Sequence, residues 1–347
     1  MAWIGNEWSD GVAQHSLIGC LACNRRHTRL MGIAEFFQCK GLFDTYFGFK
    51  PCHSSKDITM LVREHVKDGW MSHIIDIESY WRFSDSRGQW AVERNGGEEI
   101  LLGSIDKPFD ESIILWHVAT DFCFHKKGTS HDFQCARMCR QISNYMMHLL
   151  FANPEMLLPG SRRNLFTDAY DELEAILQGD DLSLLDERGL TLGIINKAEL
   201  PEGFLRDSWV LAQELMQLGD EKKMWEVIKA MWIEMLCFSV GRCRGYLHAK
   251  SLGSGGESLS IVSLLMSHAV LETYAERQQR VQLRLPKEER VNIAKQRIQG
   301  AAKNQATGGS STPQGMVPVK EEEIATTPLA SLFFFFGKHA PGRKLLK

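Results

Sequence analysis

Residues 221–249 read EKKMWEVIKAMWIEMLCFSVGRCRGYLHA, and the phase of their apolar positions decides the fold. Met224, Ile228, Met231, Met235 and Phe238 recur at alternating steps of four and three, the period of a helix that buries one stripe. Gly219 and Asp220 stand before them as breaker and N-cap, so the spacing predicts one long helix from about Glu221 to Ala249. In the next break, Gly253 to Gly256, Ser254 lies three residues before Glu257, which is capping-box spacing and predicts a second helix to about Gln282. Together they make an αα-hairpin with arms of roughly 40 Å at 1.5 Å per residue.

Upstream, Leu205, Trp209, Ala212 and Leu215 share one helical face. Further helices are expected over about Glu111 to His125, Asp132 to Ala152 (stopped by Asn153-Pro154) and Gly160 to Gln178. A broken helix runs from Asp57 to Arg82 past Gly69. Gly88, Gly96, Gly97 and Gly103 punctuate a connector that reads equally as a short hairpin or one helical turn. Three glycines between Gly179 and Pro201 predict a loop and hinge whose deletion is tolerated better than that of any helix. Before residue 60, scattered glycines leave one short helix, about Arg29 to Lys40, and a segment poorly able to complete a core alone. Trp3, Trp8, Phe36 and Phe37 are therefore expected to be covered by a partner. The fold class is mostly α: an irregular multi-helix bundle with a long C-terminal αα-hairpin and a disordered tail. The expected divisions are 1–105, 106–285 and 286–347.

The chain has 347 residues and a net charge of −3, too balanced for a protein that coats nucleic acid or an anionic membrane. Hydrophobic residues at 44% exclude global disorder. Nine cysteines, odd in number and scattered through helical runs, read as reduced core thiols. No secretory signal opens the sequence, and no stretch reaches the roughly 18 uninterrupted apolar residues of a membrane span. Between Arg280 and Lys303 seven basic residues face only Glu288 and Glu289, which points to peripheral contact with anionic membrane. A Gly/Ser/Thr/Pro/Gln-rich tract follows, and Leu332 to Phe336 is too short to cross a bilayer.

Several residue groups invite a chemical reading. His117, Asp121 and His125 fall on one side of their helix at i, i+4 and i+8. Eight residues rise about 12 Å, so His117 and His125 do not share one ion; either neighbouring pair with ligands from another helix stays open beside a purely structural pairing. Arg242 sits in the phase of the apolar stripe and needs a partner, with Glu234, Glu272 and Asp121 the candidates. His268 and Glu272 would be buried with a helix that is apolar nearly all round. Arg244, His248 and Lys250 suit the negative pole of the first hairpin arm. The glycines after Lys250 lack the Walker and Rossmann contexts. Cys20, Cys23, His27, Cys39, Cys52 and His53 have unspecific spacing for zinc.

Strings along the chain carry a resemblance: Arg26 to Met31, Asp68-Gly-Trp70, Arg87-Gly-Gln-Trp90, Phe109 to Ser112, Leu115 to Asp121, Ile142 to Met146, Pro154-Glu-Met156 and Arg242 to Gly253. They resemble the plant proteins that pair a domain of unknown function 4220 with a C-terminal domain of unknown function 594, whose signature here spans about 225–282. The resemblance implies a helical, membrane-associated protein with membrane-spanning helices ahead of this region, which is expected to be cytosolic. It implies no catalytic residue, and no cofactor, metal or specific nucleic acid is assigned. The expected role is non-catalytic interaction or support of a protein partner or membrane module. The rival is a hydrolase or small-ligand-binding protein using His117, Asp121, Glu234, Arg242, Arg244, His248, Lys250, His268 and Glu272; convergence of such side chains around an open void would favour it.

Overall fold

The computed structural model describes residues 11–26, 52–53, 55–95, 99–127, 133–177, 186–197, 202–253, 257–273 and 276–277. The chain divides into two compact units, Met1–Ala275 and Glu276–Lys347, and of the second only Glu276 and Arg277 are described. The helix expected over Arg29–Lys40, the four aromatics Trp3, Trp8, Phe36 and Phe37, the basic segment Arg280–Lys303 and the tail lie outside the described residues.

The described residues of the first unit are almost wholly helical. A two-residue strand, β1 (Gly11–Val12), leads into α1 (Leu17–Arg26) and pairs antiparallel with β2 (Cys52–His53), Gly11 opposite His53. There follow α2 (Ser55–Asp68), a π-helical turn (Gly69–His73), α3 (Ile77–Asp85), α4 (Gln89–Glu93) and α5 (Glu99–Asp106). The central elements are α6 (Phe109–Lys127) and α7 (Phe133–Ala152), then α8 (Pro154–Leu157), α9 (Asn164–Ile176), α10 (Glu187–Asn196) and α11 (Phe204–Gln217). The unit closes with α12 (Glu221–Arg242), α13 (Gly245–Gly253) and α14 (Ser258–His268).

Two helices are buried around most of their circumference and organise the rest. In α6, Ile113, Trp116, Val118, Ala119, Phe122 and Cys123 are buried together with the polar Ser112, His117, Thr120 and Asp121. In α12 burial runs from Met231 to Val240 without a break. A helix enclosed on all sides needs its polar atoms paired internally. Trp116 Nε1 accordingly donates to Ser104 Oγ at 3.0 Å, and Trp232 Nε1 to Thr120 Oγ1 at 3.1 Å, joining α12 to α6. Helix α7 packs against both, while α10 and α11 cover the outer side of α6.

Local sequence explains the helix starts. Asp220 accepts from the Lys223 amide at 2.8 Å and Asp186 from Gly189 at 2.8 Å, each relieving an unpaired first-turn N–H. Asp76 and Ser79 form a reciprocal cap at the start of α3.

Four expectations need correction. The helix begun at Glu221 stops at Arg242 because Cys243 is extended (ψ 140°), its N–H making the last helical bond, to the Ser239 carbonyl at 2.8 Å. Gly241 and Gly245 on either side make that break inexpensive. The second arm is α14, 11 residues ending at His268, so the expected pair of equal arms is replaced by a 22-residue helix, a short α13 and a short α14. Its N-cap is Glu257, whose side chain makes no cap hydrogen bond, and Ser254 lies outside the described residues. Nor is α14 enclosed: Leu259, Val262 and Met266 are buried, but Leu264 is 51% exposed. The expected 179–201 loop contains α10, whose Leu190, Thr191, Ile194 and Ile195 are buried against α1 and α6, so deleting it would open the core. In the described part of the segment before residue 60, Val12, Leu17, Ile18 and Leu21 are fully buried in the core shared with the later helices.

Candidate functional site

The densest polar cluster lies where α1, α6, α7 and α10 meet. Its centre is Asp121, whose side chain has no exposed surface. Arg140 on α7 donates from Nε to Asp121 Oδ1 at 2.8 Å and from Nη2 to Glu187 Oε1 on α10. The Arg140 guanidinium also lies 4.9 Å from the Phe124 ring centroid, a cation–π contact that favours the charge where water is scarce. Ser16, just before α1, completes the tie, its Oγ donating to Glu187 Oε1 at 2.5 Å and lying 3.4 Å from Asp121 Oδ2. Despite its burial, Asp121 is held below the usual carboxylate range by the Arg140 guanidinium.

His117 belongs to the same cluster as a neutral ring. Its Nε2 accepts from the Leu17 amide at 3.1 Å, so Nδ1 carries the proton and donates to Ser143 Oγ at 2.9 Å. Burial pushes its pKa down against the pull of Asp121. The 3.8 Å approach of His117 Nε2 to Asp121 is therefore a contact and not an ion pair. His125 lies one turn further on, and its Nε2 is buried without a hydrogen-bond partner among the described residues.

The other sequence candidates are held elsewhere. Arg242 meets an acid outside the three expected: its Nη2 donates to Asp85 Oδ1 at 2.9 Å, and the guanidinium stacks 3.6 Å from the Phe238 ring centroid. Glu234 Oε2 instead accepts from Ser86 Oγ at 2.5 Å, Gly88 N at 2.9 Å and Trp90 N at 3.2 Å. Burial pushes the Glu234 pKa up to about 7 against those donors. His248 is buried with Nδ1 3.0 Å from Ser260 Oγ, while Arg244 and Lys250 are exposed. His268 is exposed rather than buried, because α14 turns only one face inward. Glu272 is half-buried, and its amide donates to Tyr80 Oη at 2.7 Å.

His117 and Asp121 thus meet, while Glu234, Arg242, His248 and His268 occupy separate surroundings. A cleft of about 690 Å³ does open between α8 and α13, but Lys250 is the only one of the nine candidates among its lining residues, beside Glu155, Arg163 and Glu257. The zinc reading of the N-terminal cysteines narrows likewise: Cys20 is buried with Sγ 3.4 Å from His15 Nε2, and His27 and Cys39 lie outside the described residues. Cys20, Cys23, Cys123, Cys135, Cys139, Cys237 and Cys243 form no disulfide.

Sequence reading missed Arg140, Glu187, Ser16 and Asp85. Arg140 had a signal: Ala136, Ser143 and Met147 place it on a buried stripe of α7, the same argument that singled out Arg242. Glu187 had none, since its helix was read as a loop.

No helix among the described residues is long and apolar enough to cross a membrane. No curated protein and no solved structure matches the chain. What does match is a family model, over residues 217–271: the segment carrying α12, α13 and α14, and with them Glu234, Arg242, Arg244, His248, Lys250 and His268, is similar to a protein of unknown function, DUF594.

Proposed function

We propose that this region is a non-catalytic helical interaction domain that presents one apolar face to a protein partner. The observation that carries the reading is a run of exposed large side chains at the junction of the π-helical turn and α3: Met71 (66% exposed), Ile75 (87%), Ile77 (62%) and Trp81 (40%). The end of α14 lies beside them. Trp70 Nε1 donates to the Ala269 carbonyl at 3.0 Å, Tyr80 Oη lies 3.5 Å from the Val270 carbonyl, and Val270 is itself 55% exposed. Clustered apolar surface of this kind is costly to leave in water and marks contact faces. The paired side chains within the bundle support the same reading, since they fix helices against one another. The partner that suits such a face is an apolar protein segment, the membrane module implied by the sequence resemblance being the first to examine.

The test is site-specific photocrosslinking in cells, using the full chain with the crosslinker at Ile75 and, as control, at Val210, which is 37% exposed on α11. Discrete protein adducts from Ile75 that are absent from Val210 and lost in an Ile77→Asp, Met71→Asp variant are expected. No adduct, or the same adducts from both positions, would overturn the reading.

A further inference from the structure

We infer that Asp121, His125 and Glu187 form a binding site for one divalent transition-metal ion of the zinc class, linking α6 to α10. One donor atom from each of the three residues lies within 4.8 Å of the other two. The cluster is rich in acceptors and poor in donors. Glu187 Oε1 receives both Arg140 and Ser16, and no hydrogen bond reaches Glu187 Oε2 among the described residues. Asp121 Oδ2 has only the long 3.4 Å hydrogen bond of Ser16 among the described residues, beside the 3.8 Å contact of His117. An independent observation points the same way: His125 is 8% exposed, and its Nε2 is buried with no hydrogen-bond partner among the described residues. Such an atom ordinarily has a partner.

In direct contact, two carboxylates face one guanidinium, and His117, neutral by its hydrogen bonds, adds no charge. Arg140, and more weakly Arg188, oppose a cation beside His125. That opposition disfavours a weakly held, water-rich magnesium ion and favours an ion that bonds strongly to imidazole nitrogen. Two carboxylates and one imidazole are a zinc ligand set that leaves a fourth position open. A tetrahedral ion with bonds near 2 Å would draw the three atoms to about 3.3 Å from one another. Glu187 has the freedom to move, since its side chain is 26% exposed while Asp121 is fully enclosed, and it marks the way in. The site is independent of the apolar face at Ile75 and Ile77.

The test uses the full chain, stripped with a chelator and titrated with zinc chloride in a calorimeter, with cobalt chloride as spectroscopic probe. Expected are one zinc per chain by elemental analysis and a cobalt spectrum of nitrogen and oxygen ligation with no thiolate charge-transfer band. His125→Gln and Glu187→Gln are each expected to weaken zinc at least tenfold, with far-ultraviolet circular dichroism unchanged. Should His125→Gln fail to fold, Glu187→Gln at the exposed edge decides. Substoichiometric zinc, affinity unchanged in the variants, or a thiolate band placing the metal on cysteines would each overturn the assignment. Because the crosslinking at Ile75 reads a different surface, either proposal can fail alone.

Discussion

Arg140 Nε donates to Asp121 Oδ1 at 2.8 Å, so a cation on α7 neutralises a carboxylate of α6 that has no contact with water. Removing one partner of such a pair leaves the other charge stranded, a far larger loss than the net worth of the pair. Arg140→Met is therefore expected to lower unfolding free energy by about 3–5 kcal/mol. Adding Asp121→Asn should return part of that loss, because the stranded charge goes with it. Urea unfolding of the two variants measures both steps. A cost below about 1 kcal/mol for the single change would show that water reaches Asp121.

Glu234 gives the bundle a pH dependence of identifiable sign. Burial raises its pKa from 4.5 to about 7. The folded chain thus binds a proton that the unfolded chain releases, so stability falls as pH rises from about 4.5 to about 7 and is level above. The contribution approaches about 3 kcal/mol across that window. His15 and His148 slope the other way: burial lowers them to about 3 and about 4, so they cost stability as pH falls below about 6.5. The difference between the wild-type chain and Glu234→Gln isolates the carboxyl. Melting temperatures at pH 5 and pH 8 should show the variant gaining on the wild type as pH rises; parallel curves would place Glu234 in contact with solvent.

What the sequence made legible follows from what periodicity can express. The helices around Ile113 and Ile142 were read within a few residues of both ends, and those around Ile58 and Met224 at their starts, because burial there imposes a 3.6-residue repeat. Helix α10 was lost because Gly189 and Gly193 read as breakers, although nothing lies within 4 Å of the position a Cβ would take at Gly193. Partners were harder than elements. Arg242 announced that it needed an acid, but Asp85, 157 residues away, belongs to another helix, and spacing along one chain does not encode such a meeting. His117 and Asp121 were read together because both stand on α6; Glu187 and Arg140 completed the cluster only once the helices were packed.

Gly88 is a position where backbone and packing make the same demand. Its φ of +129° disfavours any L side chain, and a Cβ there would lie 2.1 Å from Met231 Sδ and 2.7 Å from Met231 Cε. Met231 is itself fully buried, so it has little room to withdraw. The Gly88 amide is also one of the three donors to Glu234 Oε2. Gly88→Ala is accordingly expected to cost about 3 kcal/mol, combining backbone strain with overpacking. Pairing it with Met231→Ala should relieve the steric part and leave the backbone part. If the double variant is no better than the sum of the two single losses, the contact is not the cause.

At the other end of the matched segment, α14 closes with a residue ill-suited to its backbone. The Leu271 N–H bonds the Met266 carbonyl at 3.0 Å and the Val270 N–H the Ser267 carbonyl at 3.1 Å, the two reversed bonds of a Schellman termination. That motif needs a left-handed residue, and Val270 supplies it at φ 62°. A β-branched side chain in this region carries strain of about 1–3 kcal/mol, which glycine would not. Val270 is 55% exposed, so replacing it forfeits little burial, while glycine adds chain entropy to the unfolded state. Val270→Gly is expected to stabilise the chain by about 0.5–1 kcal/mol, seen as a higher melting temperature with an unchanged denaturant slope. Val270→Ala should gain less, since it keeps the Cβ. A loss of stability on Val270→Gly would mean that the valine side chain, and not the turn it strains, holds α14 against Tyr80.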